Sequence, residues 1–219
     1  MFFGIALTLW AQFKVKRTFK KYDEFVSRSG ATADQVARDI LRKGGLDVRV
    51  EHVSGQLSDH YDPRDRVLRL SDSTYGNSSL AAIGVAAHEA GHAFQHAEGY
   101  VPLSIRTALV PVANFGSKLS WILIMAGMFM GMMGLFQLGV IFFSFAVVFS
   151  LVTLPVEFNA STRAIRILAN GYLTEDEIPA SRKVLNAAAM TYVASAAVAV
   201  MELIRMLLMS GLLGNRSDD

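Results

Sequence analysis

The chain of 219 residues contains no cysteine. It therefore forms no disulfide, and any metal it holds must be bound by His, Asp or Glu rather than by thiolate. Charge is scarce as well: Asp, Glu, Lys and Arg make up 18% of the residues, against about 25% in an ordinary soluble domain. The shortage is local, because Lys118 is followed by no charged residue until Glu157 and the thirty-seven residues Leu119–Pro155 are nearly all apolar. A soluble core does not hide a stretch of that length, so the composition reads as a membrane protein with the lipid bilayer as a partner. The net charge of +2 is too small to argue for nucleic acid, and no such partner is expected.

Against this apolar background stands His88-Glu89-Ala90-Gly91-His92, the HExxH pattern of a zinc-dependent hydrolase. Residues four apart on an α-helix share a face, with Cβ atoms about 5–6 Å apart. Two imidazoles in that arrangement can close on one ion at about 2.0–2.1 Å per bond. Glu89, one residue round from the first histidine, is placed to take a proton from water on that ion. Asn77, Ser78 or Ser79 is expected to cap the helix, which runs from about Leu80 to Glu98 and stops near Gly99.

The order of the chain divides it into five regions. Residues 1–22 read as an apolar segment followed by Lys14-Val15-Lys16-Arg17-Thr18-Phe19-Lys20-Lys21. Charge after the apolar part, not before it, is wrong for a secretory signal. A membrane anchor is the favoured reading, and an amphipathic helix lying on the surface is the alternative. The basic run places the next region on the cytoplasmic side. Residues 23–118 hold a helix capped by Thr32, then alternating strand patterns from Leu46 to Leu70 that read as a small antiparallel sheet, then the HExxH helix. That sheet either offers an edge to an extended substrate or simply covers the helix. Pro102 and Pro111 are expected to break the next stretch, leaving Leu103–Lys118 as an amphipathic helix. Residues 119–155 are expected to form a transmembrane hairpin turning among Gly131, Gly134, Gln137 and Gly139, since two spans need about 40 residues; one tilted helix is the alternative. Residues 156–185 carry a short helix and a loop with Thr174 and Glu177 as a capping box. Residues 186–214 form the last span, in which Glu202 and Arg205 pair with each other. The whole reads as mainly α with a small antiparallel β-sheet and about four transmembrane helices.

Two histidines leave zinc one protein ligand short. His96 lies four residues past His92, but His88 and His96 are about 12 Å apart along a helix axis. It therefore reads as a supporting or merely helix-facing residue. Glu157 is the better third ligand: it follows the apolar hairpin and has Ala160 and Ser161 one turn on, small enough for a second helix to approach the first. The alternative is that Glu157 caps its helix. Ser161 is a candidate partner for a ligand histidine. Oxyanion donors are sought among His60, Tyr61, Arg163 and Tyr172, between which the residues do not choose.

The strings GVAAHEAGHAFQHAEGY, LPVEFNAS, AQFKVKRTFKKY and DHYDPRDRVLRLS resemble the YugP-type membrane-embedded neutral zinc metallopeptidases of prokaryotes over nearly the whole chain. More distantly the chain is similar to the HtpX-type proteases and the CAAX prenyl proteases, gluzincins that separate HExxH from Glu-x-x-Ala-Asp by membrane spans. The resemblance implies a zincin-like core, one catalytic Zn²⁺ on His88, His92 and Glu157, and Glu89 as the general base. Ser161 stands where the distant relatives carry Asp. The chain has no Gly-Lys-Ser/Thr phosphate loop, which separates it from ATP-driven proteases with HEAGH. The expected function is a zinc endopeptidase of the prokaryotic plasma membrane with its site on the cytoplasmic side. Its substrates would be membrane or membrane-associated proteins, misfolded ones among them. A catalytically silent membrane scaffold is the alternative, and a hydrolase of lipid-linked peptides a third reading.

Overall fold

A computed structural model describes residues 2–212; Met1 and residues 213–219, which include the expected end of the last span at residue 214, lie outside the described residues. The elements are α1 (Phe2–Asp23), α2 (Ala33–Lys43), β1 (Arg49–Val53), β2 (His60–Asp62), β3 (Val67–Ser71), α3 (Leu80–Ala97), α4 (Val101–Met130), α5 (Met133–Ala169) and α6 (Ile178–Met209).

Helix α3 sits at the centre. Ser79 caps it, its hydroxyl oxygen accepting from the Ala82 N–H at 3.1 Å, and the same hydroxyl donates to Asp23 at the end of α1. Its apolar first half is small-faced: Ala81, Ala82, Ala86, Ala87 and Ala90 have no exposure at all. Small side chains let several elements pack on one helix, and α2, β3, α5 and α6 do so. The approach to α6 is close enough that a Cβ on Gly84 would lie 3.1 Å from the Ser181 Cβ. The Ser181 hydroxyl donates to the Leu80 carbonyl across that gap at 2.7 Å. Leu41 on α2 and Leu68 and Leu70 on β3 complete the core, each buried side chain contributing about 1.5–3 kcal/mol.

The sheet is mixed, not antiparallel. Its order is β1-β3-β2, with β1 parallel to β3 and β2 antiparallel to it. Ser54-Gly55 does not close a hairpin. The Asp72 N–H bonds to the Gly55 carbonyl and the Gly55 N–H to the Asp72 carboxylate, which carries the chain past the end of β3. Asp59 then accepts from the Ser71 N–H and hydroxyl, starting β2 on the far edge. Alternation identifies strands but not their direction, and two aspartates decide it here.

Among the described residues three helices, not four, are long and apolar enough to cross a membrane: α4, α5 and α6. Helix α1 is not among them, because five cations occupy its second half. No more than 22% of each apolar window is buried inside the protein, so most of that surface faces outward. The prolines break nothing. Pro102 sits in the first turn of α4, and Pro111 and Pro155 lie inside continuous helices. Within hydrocarbon a broken helix strands backbone polar groups, so continuing past a proline is the less costly course. Leu103–Lys118 is therefore part of one 30-residue helix that turns back at Gly131, whose φ of 65° suits glycine. Glu157 likewise does not open a short helix. The 37 residues of α5 span about 55 Å against a hydrocarbon core of about 30 Å, and the projecting end carries Glu157.

Candidate metal centre

Three ligand atoms converge where α3 meets the projecting end of α5. His88, His92 and Glu157 each offer one, all within 4.8 Å of one another. One Glu157 oxygen, Oε2, lies 3.3 Å from His88 Nε2 and 3.6 Å from His92 Nε2. A tetrahedral ion with bonds of about 2.0–2.1 Å requires ligand atoms about 3.3–3.4 Å apart, so these residues fit zinc. The approach depends on Gly91, where a Cβ would meet the Ala160 carbonyl oxygen at 2.8 Å. The small residue needed at the crossing thus lies on both helices.

The His92 imidazole is held with its proton on Nδ1, the tautomer that a metal on Nε2 needs. Gln95, fully buried, donates through Nε2 to the Val156 carbonyl and to Asn159 Oδ1, both at 2.9 Å. Its amide oxygen must then face His92 Nδ1, 2.9 Å away, where it can only accept. Asn159 is oriented in turn by Arg163 Nε at 2.7 Å, and Arg163 reaches Glu98 at 2.7 Å. His88 Nδ1 lies 3.1 Å from the Ser161 hydroxyl. Burial disfavours a charged His92, but the hydrogen bond to Glu157 and the Glu89 and Glu157 charges outweigh it and raise its pKa. The field at this point favours a cation.

Glu89 is 8% exposed and has no hydrogen-bond partner among the described residues. It faces two cavities that meet at the trio. One, of about 220 Å³, is walled by apolar Val15, Phe19, Val85, Val184 and Ala188. The other, of about 300 Å³, is more polar and of mixed charge, with Asp59, His60, Tyr61, Arg64, Arg106 and Tyr192 on its walls beside Glu89 and Glu157. Arg106, on α4, brings Nη2 to 3.7 Å from the second Glu157 oxygen, Oε1, while its buried Nε has no partner.

The remaining candidates are distributed unevenly. His60 and Tyr61 line the polar cavity, and the Tyr61 hydroxyl engages His96 Nδ1 at 2.8 Å, so His96 serves β2 and not the trio. Arg163 is occupied with Asn159 and Glu98, lining a different cleft. Tyr172 donates to Asp39 on α2 at 2.7 Å. Glu202 and Arg205 pair at 2.6 Å. Gln95, Asn159, Arg106 and Tyr192 escape a reading of the sequence. Only Gln95 carried a signal there, as the residue one turn past His92 on the same helix.

Comparison with known proteins agrees with this geometry. A family described as "Putative neutral zinc metallopeptidase" matches residues 1–211. The chain is 50% identical over 204 residues to the "Putative membrane protease YugP" of Bacillus subtilis (strain 168), covering 92% of this chain and 91% of that protein. No solved structure matches the chain significantly.

Proposed function

The chain belongs to this family of neutral zinc metallopeptidases, and on that footing we propose that it is a membrane-embedded zinc endopeptidase of the gluzincin type, with a zincin-like core, acting on membrane or membrane-associated proteins. The observation that carries the reading is the unpartnered Glu89 carboxylate facing the same cavities as the trio of ligand atoms. A silent scaffold has no use for a buried carboxylate kept free of partners.

His88, His92 and Glu157 would hold the ion, and zinc, when bound, supplies an activated water and polarises a carbonyl. The other work falls to the chain's own residues. Glu89 takes a proton on one of its oxygens and returns it to the leaving amine. Gln95 and Ser161 keep the imidazoles turned. Arg106 and Tyr192, facing the trio across the polar cavity, are the donors placed for a developing oxyanion. β2 is an edge strand whose His60 and Tyr61 reach the same cavity, so an extended substrate would add to it as a further strand. The apolar cavity, at about 220 Å³, is smaller than a site for a whole drug-sized ligand and suits one apolar side chain. A cytoplasmic site in a prokaryotic plasma membrane is supported by the basic residues of α1 and the start of α6, which flank the trio's side of the molecule.

The test pairs metal analysis of the detergent-purified protein with digestion of an unfolded protein. Wild type and Glu89→Gln should both retain about one zinc per chain, while cleavage falls ~10²–10⁴-fold in the variant. Equal cleavage by the two would overturn the reading.

A further inference from the structure

We propose that a basic cleft between α1, α5 and α6 binds the phosphate of an anionic phospholipid headgroup. The cleft measures about 610 Å³; Lys14, Lys21 and Lys183 line it, with Asn186 as a further donor and Phe158 and Met190 as apolar wall. Lys14 and Lys21 are seven residues apart on α1, two turns along one face, and Lys183 and Asn186 stand on neighbouring turns of α6.

The level of this cleft is set by how α1 and α6 pack. Near the start of α1, a Cβ on Gly4 would lie 3.2 Å from Val198, whereas further along Phe19 packs with Val184. The helices are therefore antiparallel. The charged half of α1 lies beside the charged start of α6, and the apolar half of α1 lies beside the Ala-rich run. Both helices change from charged to apolar at one level. Below it Ile5, Leu9, Trp10 and Phe13 are exposed, Phe13 by 64%, as side chains facing hydrocarbon would be. Phe158 on α5 reaches the same level, 48% exposed. A bilayer core that ends there puts its headgroup phosphates against the three lysines.

Charge points to the occupant. None of Lys14, Lys21 and Lys183 forms an ion pair among the described residues, and no Asp or Glu lines the cleft. Lys14 lies over the Trp10 ring and Lys21 over the Tyr22 ring, but no carboxylate balances the three ammonium charges, and basic pockets between membrane helices are suited to lipid head groups. The apolar wall distinguishes a lipid from free phosphate, because only the lipid brings glycerol and acyl carbons to cover Phe158 and Met190.

Native mass spectrometry of the whole protein in detergent, titrated with phosphatidylglycerol and separately with phosphatidylcholine, tests this. Phosphatidylglycerol should bind roughly tenfold or more tightly than phosphatidylcholine. Lys14→Gln/Lys21→Gln/Lys183→Gln should abolish that preference, while the corresponding triple arginine variant keeps it. Lys16→Gln/Lys20→Gln/Arg182→Gln removes equal charge from the same helices outside the cleft and should keep most of it. Equal loss in both glutamine triples would overturn the proposal in favour of diffuse surface charge. Displacement of phosphatidylglycerol by an equal concentration of inorganic phosphate would overturn it in favour of a bare anion site. Thermal unfolding checks folding; should the triple not fold, Lys183→Gln alone carries the test with an expected loss of about fivefold.

Discussion

From Met133 to Val152, α5 is held to α4 by close backbone approach, whereas from Thr153 to Ala169 it is held to α3 by hydrogen bonds between named side chains. In the first half a Cβ on Gly127 would meet the Phe136 nitrogen at 2.5 Å, and one on Gly139 the Ile124 nitrogen at 2.9 Å. Ile124, Phe136, Val140 and Met206 fill the space between. A polar tie, Gln137 Nε2 to the Ser210 carbonyl at 2.9 Å, joins α5 to α6. In the second half Gln95, Asn159, Ser161 and Arg163 bridge the helices, and glycine appears only where Gly91 meets Ala160. The first mode suits a lipid-facing helix pair, where small residues permit dispersion contacts. The second fixes the rotation of individual side chains. The hairpin decides where α5 goes; the polar half decides where its carboxylate points.

Removing the carboxylate itself should have the largest effect. Glu157→Ala is expected to lose its metal and its peptide cleavage together, while His96→Ala, whose imidazole serves Tyr61, keeps both; metal analysis after dialysis separates them. The reverse result would move the third ligand from α5 to α3. Next comes the crossing. Gly91→Ala must displace backbone at Ala160 and should cost about 1–3 kcal/mol of stability with weakened zinc retention. Gly127→Ala, at a still tighter backbone contact inside the α4–α5 hairpin, should lower thermal stability in detergent but leave zinc retention intact. Equal zinc loss in both would erase the distinction between the two halves.

A smaller effect is expected at the tautomer lock. Gln95→Leu removes the acceptor from His92 Nδ1 and should weaken zinc binding about 10–100-fold, read by competition with a chelator. An unchanged affinity would mean that the helix alone orients the ring. The smallest effect lies outside the site, at the start of α6. Burial pushes the Glu177 carboxyl up, but the N–H groups of Thr174 and Arg28, the Thr174 hydroxyl and the Arg28 charge outweigh it and hold its pKa below the usual 4.5. A lowered folded-state pKa stabilises above the unfolded value and is lost as pH falls through the folded one. Thermal stability should thus decline as pH drops below about 4.5, and Glu177→Gln should flatten that decline. An unaltered slope would show that other carboxylates dominate.

Parts of this molecule were legible because they depend on local geometry. The spacing of His88 and His92 needs only 3.6 residues per turn, and Ser79 needs only the first turn of its own helix. The uncharged stretch after Lys118 needs only its length. The hairpin could also be argued, since one crossing would carry Glu157 away from His88. The hidden parts depended on docking. Arg106 reads as one cation on an amphipathic face until α4 is laid against α5. Tyr192 reads as one aromatic in an Ala-rich helix until α6 is laid against α3. The β1-β3-β2 order rests on Asp59 and Asp72, loop residues whose partners lie across the sheet. Pro155 misled for a related reason: its local preference is to end a helix, and the apolar surroundings of the whole helix outweigh it.

By itself the sequence determined that this is a cysteine-free membrane chain with two imidazoles and a carboxylate on one helical turn, because composition and helical periodicity act within a few residues. The tertiary structure alone decided which groups turn those imidazoles, which donors face them, and which cations share a cleft, because such contacts join positions far apart in the chain and depend on the distance and rotation at which helices pack.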